Sequence, residues 1–212
     1  MLKIHFVRHG QTQWNVIKKL QGHLNSSLTK EGVEQTKLLY EKLRYINFNK
    51  IYTSPQGRAF HTARILKGEK NTEILELPEV MEMGFGDVEG LEKEKFKEKY
   101  PEAFMNLWTD VIKYDPSDFS GESFLELEKR AIEGMKRLIE ENKTGNIMVV
   151  SHGMMLKVIF GYVLGHSLDK FWIDPVPQNT SVTTISYIDG KFKMEDFSNV
   201  DHLGNIEEIS YI

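Results

Sequence analysis

The stretch Phe6-Val7-Arg8-His9-Gly10 decides the fold, because an apolar run ends there on a cation, an imidazole and a glycine. Residues 3–7 are rich in β-branched and aromatic side chains, which predicts a short buried strand. In an open α/β sheet, ligands bind beyond the carboxyl ends of the strands. Arg8 and His9 are therefore expected at a ligand site, where Gly10 allows the backbone to approach a bound anion closely.

Two further stretches repeat this arrangement along the chain. Residues 146–151 form a second apolar strand pattern, which ends on His152 and Gly153. Residues 50–54 form a third, which leads through Pro55 to Arg58 at the start of a predicted helix. Three strand ends thus bring two histidines and two arginines toward one edge of a sheet. This combination is far more specific than Arg-His-Gly alone.

These four side chains have the chemistry of phosphoryl transfer. The planar guanidinium groups of Arg8 and Arg58 match phosphate oxygens. A neutral imidazole at His9 can attack phosphorus, and His152 can donate to the transferring oxygens and, when protonated, stabilise their charge. Singly, each residue has an ordinary alternative, such as a histidine satisfied by backbone or an arginine in a surface ion pair. The shared sheet edge favours the catalytic interpretation, with His9 as nucleophile.

Length and composition limit the classes of protein that this chain can represent. A length of 212 residues with 40% hydrophobic residues fits one domain with a sizeable core. The net charge of −4 gives no global indication of nucleic-acid or anionic-membrane binding. The absence of cysteine excludes disulfides, thiolate metal sites and cysteine nucleophiles. No apolar segment has the length of a membrane span or the form of a secretory signal, so we expect a cytoplasmic protein.

Strand and helix patterns alternate along the chain, which predicts an α/β protein with three layers (α/β/α) and a mostly parallel sheet. Thr29 is a predicted N-cap, and Ser123-x-x-Glu126 is a predicted capping box. Asp189-Gly190 separates two strand patterns, residues 182–188 and 192–197, and predicts an antiparallel hairpin at the end of the sheet. A short strand is expected over residues 72–75.

The charged segment 92–120 is the predicted insertion in an otherwise single domain spanning residues 1–212. We expect short helices broken at Pro101 and Pro116, which together form a small helical lid over the site. Aromatic side chains in and near this segment fit an apolar substrate pocket or the core equally well: Trp14, Phe85, Tyr100, Phe104 and Trp108. The alternating lysines of the segment fit a solvated helix face: Lys93, Lys95, Lys97 and Lys99.

Several motifs, taken together and in this order, resemble the histidine phosphatase superfamily, also called the phosphoglycerate mutase-like family. They are Arg8-His9-Gly10-Gln11-Thr12-x-x-Asn15, Leu28-Thr29-x-x-Gly32, Tyr52-Thr53-Ser54-Pro55 with Arg58-Ala59-x-x-Thr62-Ala63, Glu82-x-x-Phe85-Gly86-x-x-Glu89-Gly90, Gly121-Glu122-Ser123, Ser151-His152-Gly153 and Asn179-Thr180-Ser181. The resemblance covers nearly the whole chain. It implies a phosphohistidine intermediate on His9, without a cofactor or a metal ion.

The resemblance also assigns residues that spacing alone does not select. Glu82 matches the family's general acid, whereas composition alone does not choose between it and the glutamates around it. The family positions that line the phosphate site or its mouth correspond here to Asn15, Gln21, Gly22, Ser54 and Gly153. A weaker match falls on Asn179.

The leading functional interpretation is a metal-independent phosphomonoester hydrolase for small phosphorylated metabolites, described as a histidine acid phosphatase-like enzyme. The alternative enzyme is a phosphoglycerate mutase, but the segment Met83-Gly84-Phe85-Gly86 after the acid resembles the phosphatase branch. A module that binds phosphorylated ligands without turnover is a third option. We expect a small phosphorylated substrate as partner, with neither nucleic acid nor membrane. The sequence gives no oligomeric state, a homodimer being one option, and does not name the substrate.

Overall fold

A computed structural model describes residues 1–204 of the chain, and its centre is a six-stranded sheet. The strands are β1 (Leu2–Arg8), β2 (Phe48–Thr53), β3 (Ile74–Glu76), β4 (Gly145–Ser151), β5 (Val182–Ile188) and β6 (Lys191–Asn199). Their spatial order is β3-β2-β4-β1-β5-β6. The first four are mutually parallel, and β5 and β6 are antiparallel to their neighbours. The predicted fold class, a mostly parallel sheet with antiparallel strands near the C-terminus, is confirmed.

Helices cover both faces of the sheet. They are α1 (Gln13–Val16), α2 (Lys30–Leu43), α3 (Gly57–Lys67), α4 (Lys93–Lys99), α5 (Pro101–Thr109), α6 (Phe124–Glu141) and α7 (Gly153–Leu164). Phe6 belongs to the apolar cluster under α6 and α7, whereas its neighbour Val7 belongs to the cluster under α2 and α3. Val149 and Val150 divide in the same way. The central strands are continuously apolar because both of their faces are buried.

The predicted helix caps and the predicted hairpin turn occur in the structure at the expected residues. The hydroxyl of Thr29 accepts the N–H of Gly32 at 2.9 Å and begins α2. The capping box of Ser123 and Glu126 begins α6. Asp189 and Gly190 both have positive φ angles, 49° and 80°, which suits a tight hairpin turn.

The boundaries differ from the sequence interpretation in three places. The strand expected over residues 72–75 is β3, which lies two residues later at its start and one later at its end. The last strand, β6, extends beyond the predicted residues 192–197 at both ends. The polar loop after β1 contains the short helix α1, which is begun by a capping box between Thr12 and Asn15. The sequence did not predict α1, because two polar residues three positions apart also occur in loops.

The segment 92–120 forms two short helices, α4 and α5, followed by a turn. Pro101 lies in the first turn of α5, where its missing N–H and fixed φ are tolerated, so it separates the two helices. Phe96 packs edge-to-face against Phe104 and Phe119, with ring centroids 5.5 and 5.4 Å apart. The segment is therefore built around aromatic side chains of its own, and these continue the core under α6 and α7.

The register of the sheet aligns the ends of three strands. Arg8 pairs with Ser151, and Thr53 pairs with Val150, one residue before it. Because β1, β2 and β4 are parallel, the residues that follow them emerge at one edge of the sheet. This edge carries His9 and His152, which follow β1 and β4 directly.

Candidate active site

His9 directly follows β1, and only 2% of its surface is exposed. Its Nδ1 lies 2.7 Å from the carbonyl oxygen of Gly10. Because a carbonyl only accepts, Nδ1 carries the hydrogen and the lone pair of the neutral ring is on Nε2. Burial lowers the pKa of His9 well below its ordinary value, and the charges of Arg58 and Arg8 lower it further. The imidazole is thus held as a neutral, oriented base at the sheet edge.

His152 lies beside His9, with ring centroids 5.1 Å apart and the rings inclined by 56°. It is completely buried and stands behind the cavity lining rather than in it. Neither ring nitrogen has a hydrogen-bond partner. Burial, followed by the charge of Arg58, lowers the pKa of His152 well below its ordinary value. A neutral ring at His152 can still donate one hydrogen bond, and the roles of His152 as a donor and, when protonated, as a stabiliser of charge stay predictions.

Arg58 lies in the first turn of α3, and only 1% of its surface is exposed. Its Nη1 donates to the carbonyl of Leu24 at 2.7 Å, and its Nη2 donates to that of Gly22 at 2.9 Å. These bonds fix the plane of the guanidinium group, while its buried Nε has no partner. Burial lowers the pKa of Arg58 to about 10, against the opposing charge of Glu82. The side chain remains cationic at neutral pH.

Arg8 and Gly153 meet at the floor of the cavity. Arg8 donates from Nη1 to the carbonyl of Pro177 at 2.6 Å. A methyl group added at Gly153 would come within 3.4 Å of the Arg8 guanidinium carbon and 3.2 Å of a methyl of Val176. Gly153 therefore gives Arg8 the room to lie over the start of α7.

Glu82 follows a loop that packs against β4 and lies at the beginning of α7. Its Oε1 accepts the main-chain N–H groups of Met83 at 3.0 Å and Met155 at 3.2 Å. Its Oε2 accepts the N–H of Met154 in a longer contact of 3.4 Å. A carboxylate at the start of a helix is favoured by the unpaired N–H groups there. Glu82 is thereby held against the site that contains the histidines and arginines.

The other predicted binding residues fall into two groups. Those that line the cavity are Asn15, Gln21, Gly22 and Gly153. The amide oxygen of Asn15 accepts from Thr12, and that of Gln21 is buried without a partner. Ser54 is not part of the lining: its hydroxyl is fully buried and donates to Gln56 at 3.1 Å. The predicted direct contact between Ser54 and phosphate stays untested, and the structure gives this residue a supporting contact.

Gln56 is a residue that sequence reasoning missed. Its Oε1 accepts the N–H of Glu82 at 2.8 Å, and its Nε2 donates to the carbonyl of Gly22 at 2.6 Å. Gly22 is the residue whose carbonyl also accepts from Arg58. Gln56 thus joins the loop of the acid to the loop that holds the arginine. The sequence indicates Gln56 only weakly, as a polar residue three positions after the end of a buried strand.

Arg130 of α6 supports the same loop from the other side. Its guanidinium donates to the carbonyls of Glu79, Met81 and Glu82 at 3.1, 2.8 and 3.2 Å. It is also paired with Glu122 at 2.8 Å. Five donors on one planar group suit this use, because the carbonyls of an irregular loop need partners. The main chain around Glu82 is therefore fixed from both α3 and α6.

The cavity has a volume of about 390 Å³, enough for a small metabolite. Of the aromatic candidates, Trp14, Phe85 and Trp108 line the cavity, and Tyr100 and Phe104 do not. Phe85, Tyr100, Phe104 and Trp108 all contact the apolar core under α6 and α7. Lys93 also lines the cavity. The expectation of a wholly solvated lysine face on α4 is wrong at this position, because the helix begins at the cavity mouth and its first residue faces inward. Among residues 1–204, no cluster of three or more metal-ligating side chains occurs.

Comparisons with known proteins identify the family of this chain. The family model of the histidine phosphatase superfamily (branch 1) matches residues 4–200. The chain belongs to this family. Within the histidine phosphatase superfamily, it is 29% identical over 206 residues to the "metal-independent phosphoserine phosphatase" of Arabidopsis thaliana, covering 96% of this chain and 84% of the relative. It is 30% identical over 174 residues to the "adenosylcobalamin/alpha-ribazole phosphatase" of Escherichia coli (strain K12), covering 81% and 83%.

Solved structures of the family also resemble the whole chain. YhfR of Bacillus stearothermophilus superposes with a TM-score of 0.93 and 30% identity, covering 96% of this chain and 100% of that one. The predicted family is confirmed, and the relatives from Arabidopsis thaliana and Escherichia coli reported above are named as phosphatases. The matching model is that of branch 1, so a histidine acid phosphatase-like specificity stays a prediction. Within residues 1–204, no helix is long and apolar enough to span a bilayer.

Proposed function

We propose that this protein is a metal-independent phosphomonoesterase that works through a phosphohistidine on His9. One observation carries the proposal: the Nδ1–H of His9 is bound to the carbonyl of Gly10, which leaves Nε2 as the unprotonated nitrogen beside Arg8 and Arg58. A buried neutral imidazole next to two guanidinium groups suits attack on the phosphorus of a bound anion. The substrate would be a small phosphorylated metabolite.

The first step transfers the phosphoryl group to His9. The lone pair on Nε2 forms the nitrogen–phosphorus bond as the bond from phosphorus to the leaving oxygen breaks. That oxygen keeps the electron pair of the broken bond and takes a proton from Glu82, which enters the step as the carboxylic acid. The oxygen of Glu82 that would carry the proton is Oε2, which has the longest of the main-chain contacts. Arg8, Arg58 and His152 stabilise the charge on the three remaining phosphoryl oxygens.

The second step returns the phosphoryl group to water. Glu82, now a carboxylate, removes a proton from a water molecule as its oxygen attacks the phosphorus. The nitrogen–phosphorus bond breaks, and its electron pair returns to Nε2 of His9. Inorganic phosphate leaves, and both residues regain their starting states. The orphaned Nε of Arg58 and the unpartnered His152 ring are donors that a phosphoryl group in this position can satisfy.

The comparisons support hydrolysis as the net reaction. The relatives reported above carry the names of phosphatases, and one of them is named metal-independent. A mutase must in addition keep water away from the phosphohistidine. Cations of the cavity supply the charge stabilisation that magnesium provides in other phosphoryl-transfer enzymes. The single-domain organisation over residues 1–212, the lid role of residues 92–120 and a cytoplasmic location stay predictions, as does the oligomeric state.

The test of this proposal is to trap the intermediate. The protein is mixed with a ³²P-labelled phosphomonoester and quenched in alkali, because phosphohistidine is labile in acid. We expect label on His9, and no label or turnover in His9→Ala. His61→Ala is the matched control, since His61 is exposed on α3 outside the cavity. Label on another residue, or full turnover by His9→Ala, would refute the proposed mechanism.

A further inference from the structure

We propose that the mouth of the cavity binds a second anionic group of the substrate. The substrate class would then be a phosphomonoester with an apolar or aromatic body and a carboxylate, or a second phosphate, at its far end. This inference rests on the proposed phosphatase function and adds the determinant of its specificity. It concerns three lysines of the cavity wall: Lys18, Lys19 and Lys93.

The charge of the cavity is strongly one-sided. Its lining contains Arg8 and Arg58 together with these three lysines. Within residues 1–204, Glu82 is the one carboxylate of that lining. The chain as a whole has a net charge of −4, so this concentration of cations is local. A phosphate on the arginines leaves the lysines still without a counter-charge.

None of the three lysines has an ion-pair partner within the described part of the chain. Instead, two of them lie over tryptophan rings of the cavity wall. The Nζ of Lys93 is 4.6 Å from the ring centroid of Trp108, and the Nζ of Lys19 is 5.8 Å from that of Trp14. A cation over an aromatic face is held in place but keeps its donors available. Lys93 is consequently oriented on the wall rather than free in solvent.

The backbone brings these lysines together from two separate loops. Lys19 and Glu92 form an antiparallel bridge, and the N–H of Leu20 donates to the carbonyl of Leu91 at 3.1 Å. Lys18 has a φ of 54°, a left-handed conformation that costs energy in a residue other than glycine. Burial and the nearby charge of Lys18 lower the pKa of Lys93. Like charges are thus gathered here against their mutual repulsion, which an anionic ligand would relieve.

The space between the arginines and the lysines suits an apolar body. Trp14, Phe85 and Trp108 line it, and Trp108 is supported by Trp172 at a centroid distance of 5.6 Å. These rings offer a flat, rigid surface, which matches an aryl or other apolar group. The ordinary interpretation of the lysines, a solvated face, fits Lys95, Lys97 and Lys99, which are exposed. It does not fit Lys93, which is half-buried on the cavity wall.

Two matched substrates test this inference: 4-carboxyphenyl phosphate, and 4-carbamoylphenyl phosphate, in which an uncharged amide replaces the carboxylate. We expect the wild-type protein to have the lower KM for the carboxylate. Lys93→Met keeps the length of the side chain but removes its charge, and should raise that KM by about tenfold, the typical effect of losing a hydrogen bond to a charged group. The KM of the carbamoyl compound should stay within about twofold of the wild-type value. Lys93→Arg should retain most of the preference.

The control variant is Lys95→Met, which removes an exposed charge from the same helix and should change neither KM. If Lys93 only supports the structure, Lys93→Met should raise the KM of both substrates equally. If Lys93 is simply a solvated side chain, neither KM should change. Either result would overturn the inference. Binding of the two compounds to His9→Ala, measured by calorimetry, separates the two proposals. If His9→Ala binds 4-carboxyphenyl phosphate more tightly than the carbamoyl compound, but the wild-type protein forms no phosphohistidine, the anion site is supported and the proposed reaction is refuted. Equal affinities would refute the anion site.

Discussion

The side-chain oxygen of Gln56 accepts a hydrogen bond of 2.8 Å from the main-chain N–H of Glu82, across 26 residues of sequence. The amide nitrogen of the same residue donates to the carbonyl of Gly22, which in turn accepts from Arg58. A buried residue thus couples the position of the candidate acid to that of the phosphate clamp. Small displacements matter at such a site, because misplacement by about 1 Å can cost 10²-fold in rate.

Gln56→Leu is therefore expected to reduce kcat by about 10²-fold, since a side chain of similar size cannot make the hydrogen bonds of Gln56 with Ser54, Glu82 and Gly22. Because the variant displaces Glu82, the loss should be larger for an alkyl phosphate than for para-nitrophenyl phosphate. Steady-state rates with both substrates, alongside thermal unfolding, provide the measurement. Gln13→Leu, an exposed residue of α1, is the control. A lower unfolding temperature with equal losses for both substrates would assign Gln56 to the fold alone.

Glu82→Gln tests the general acid through the leaving group. An alkoxide needs a proton to leave, whereas a nitrophenolate leaves unassisted, and general acid catalysis contributes about 10²–10⁴-fold where a proton is needed. In single turnover, the variant should therefore slow an alkyl phosphate far more than para-nitrophenyl phosphate. Equal slowing would mean that Glu82 positions the phosphate or supports the fold.

The neighbouring glutamates supply the controls for this experiment. Glu79 is paired with Arg137 at 3.1 Å, and Glu89 accepts the N–H groups of His23, Leu24 and Phe85. Neither lines the cavity. Glu79→Gln is expected to leave single-turnover rates unchanged, and a selective loss for the alkyl phosphate in that variant would transfer the acid role to it.

Arg58→Lys keeps the positive charge but loses the planar fork that spans two carbonyls and presents Nε to the site. Removal of a donor to the transition state typically costs about 10²–10³-fold in kcat. We expect a loss of that size, measured with saturating para-nitrophenyl phosphate. Arg64→Lys, an exposed position on the same helix, should retain the wild-type rate. A near-normal rate for Arg58→Lys would remove this residue from the phosphate clamp.

The stability of the protein should fall as the pH drops below about 6.5. His9 and His152 have pKa values lowered by burial, so below the ordinary value of 6.5 the unfolded chain binds protons that the folded protein refuses. The stability is fully present above pH 6.5 and is lost toward lower pH. Between pH 7.5 and 5.5, each of the two histidines should remove up to about 1.4 kcal/mol from the free energy of unfolding, the limit set by protonation of the unfolded chain.

Denaturant unfolding at the two pH values, in phosphate-free buffer, measures this loss. Other buried histidines contribute as well, because burial lowers the pKa of His202 to about 4 and also lowers that of His5. The double variant His9→Asn, His152→Asn isolates the site: its pH-dependent loss of stability should be smaller than the wild-type loss. An identical pH dependence in both proteins would contradict the buried neutral state of the pair.

Activity should survive exhaustive chelation, because the proposed mechanism takes its charge stabilisation from arginine and histidine side chains. The protein is dialysed against EDTA, and phosphate release is measured before and after Mg²⁺ or Zn²⁺ is restored. We expect the same rate in all samples. A loss on chelation that either ion reverses would contradict the metal-independent mechanism.

The sequence determined the elements that depend on local signals. Apolar runs defined β1, β2 and β4. His9 and His152 follow β1 and β4 directly, and Arg58 lies in the helix that follows β2. Because parallel strands end at one edge of the sheet, all three were expected at that edge. The helix caps and the Asp189-Gly190 turn could also be predicted from sequence, because each involves residues only a few positions apart.

The tertiary structure alone decided which side chains support the site and which form its wall. The bonds of Gln56 span 26 and 34 residues, and the bridge between Lys19 and Glu92 joins residues still farther apart in the sequence, so no local pattern encodes them. The aromatic residues near the lid are alike in sequence and pack against the same core, yet Trp108 also lines the cavity and Phe104 does not. The direction of a side chain on a short helix is set by what packs against each of its faces, and that is fixed only when the whole chain has folded.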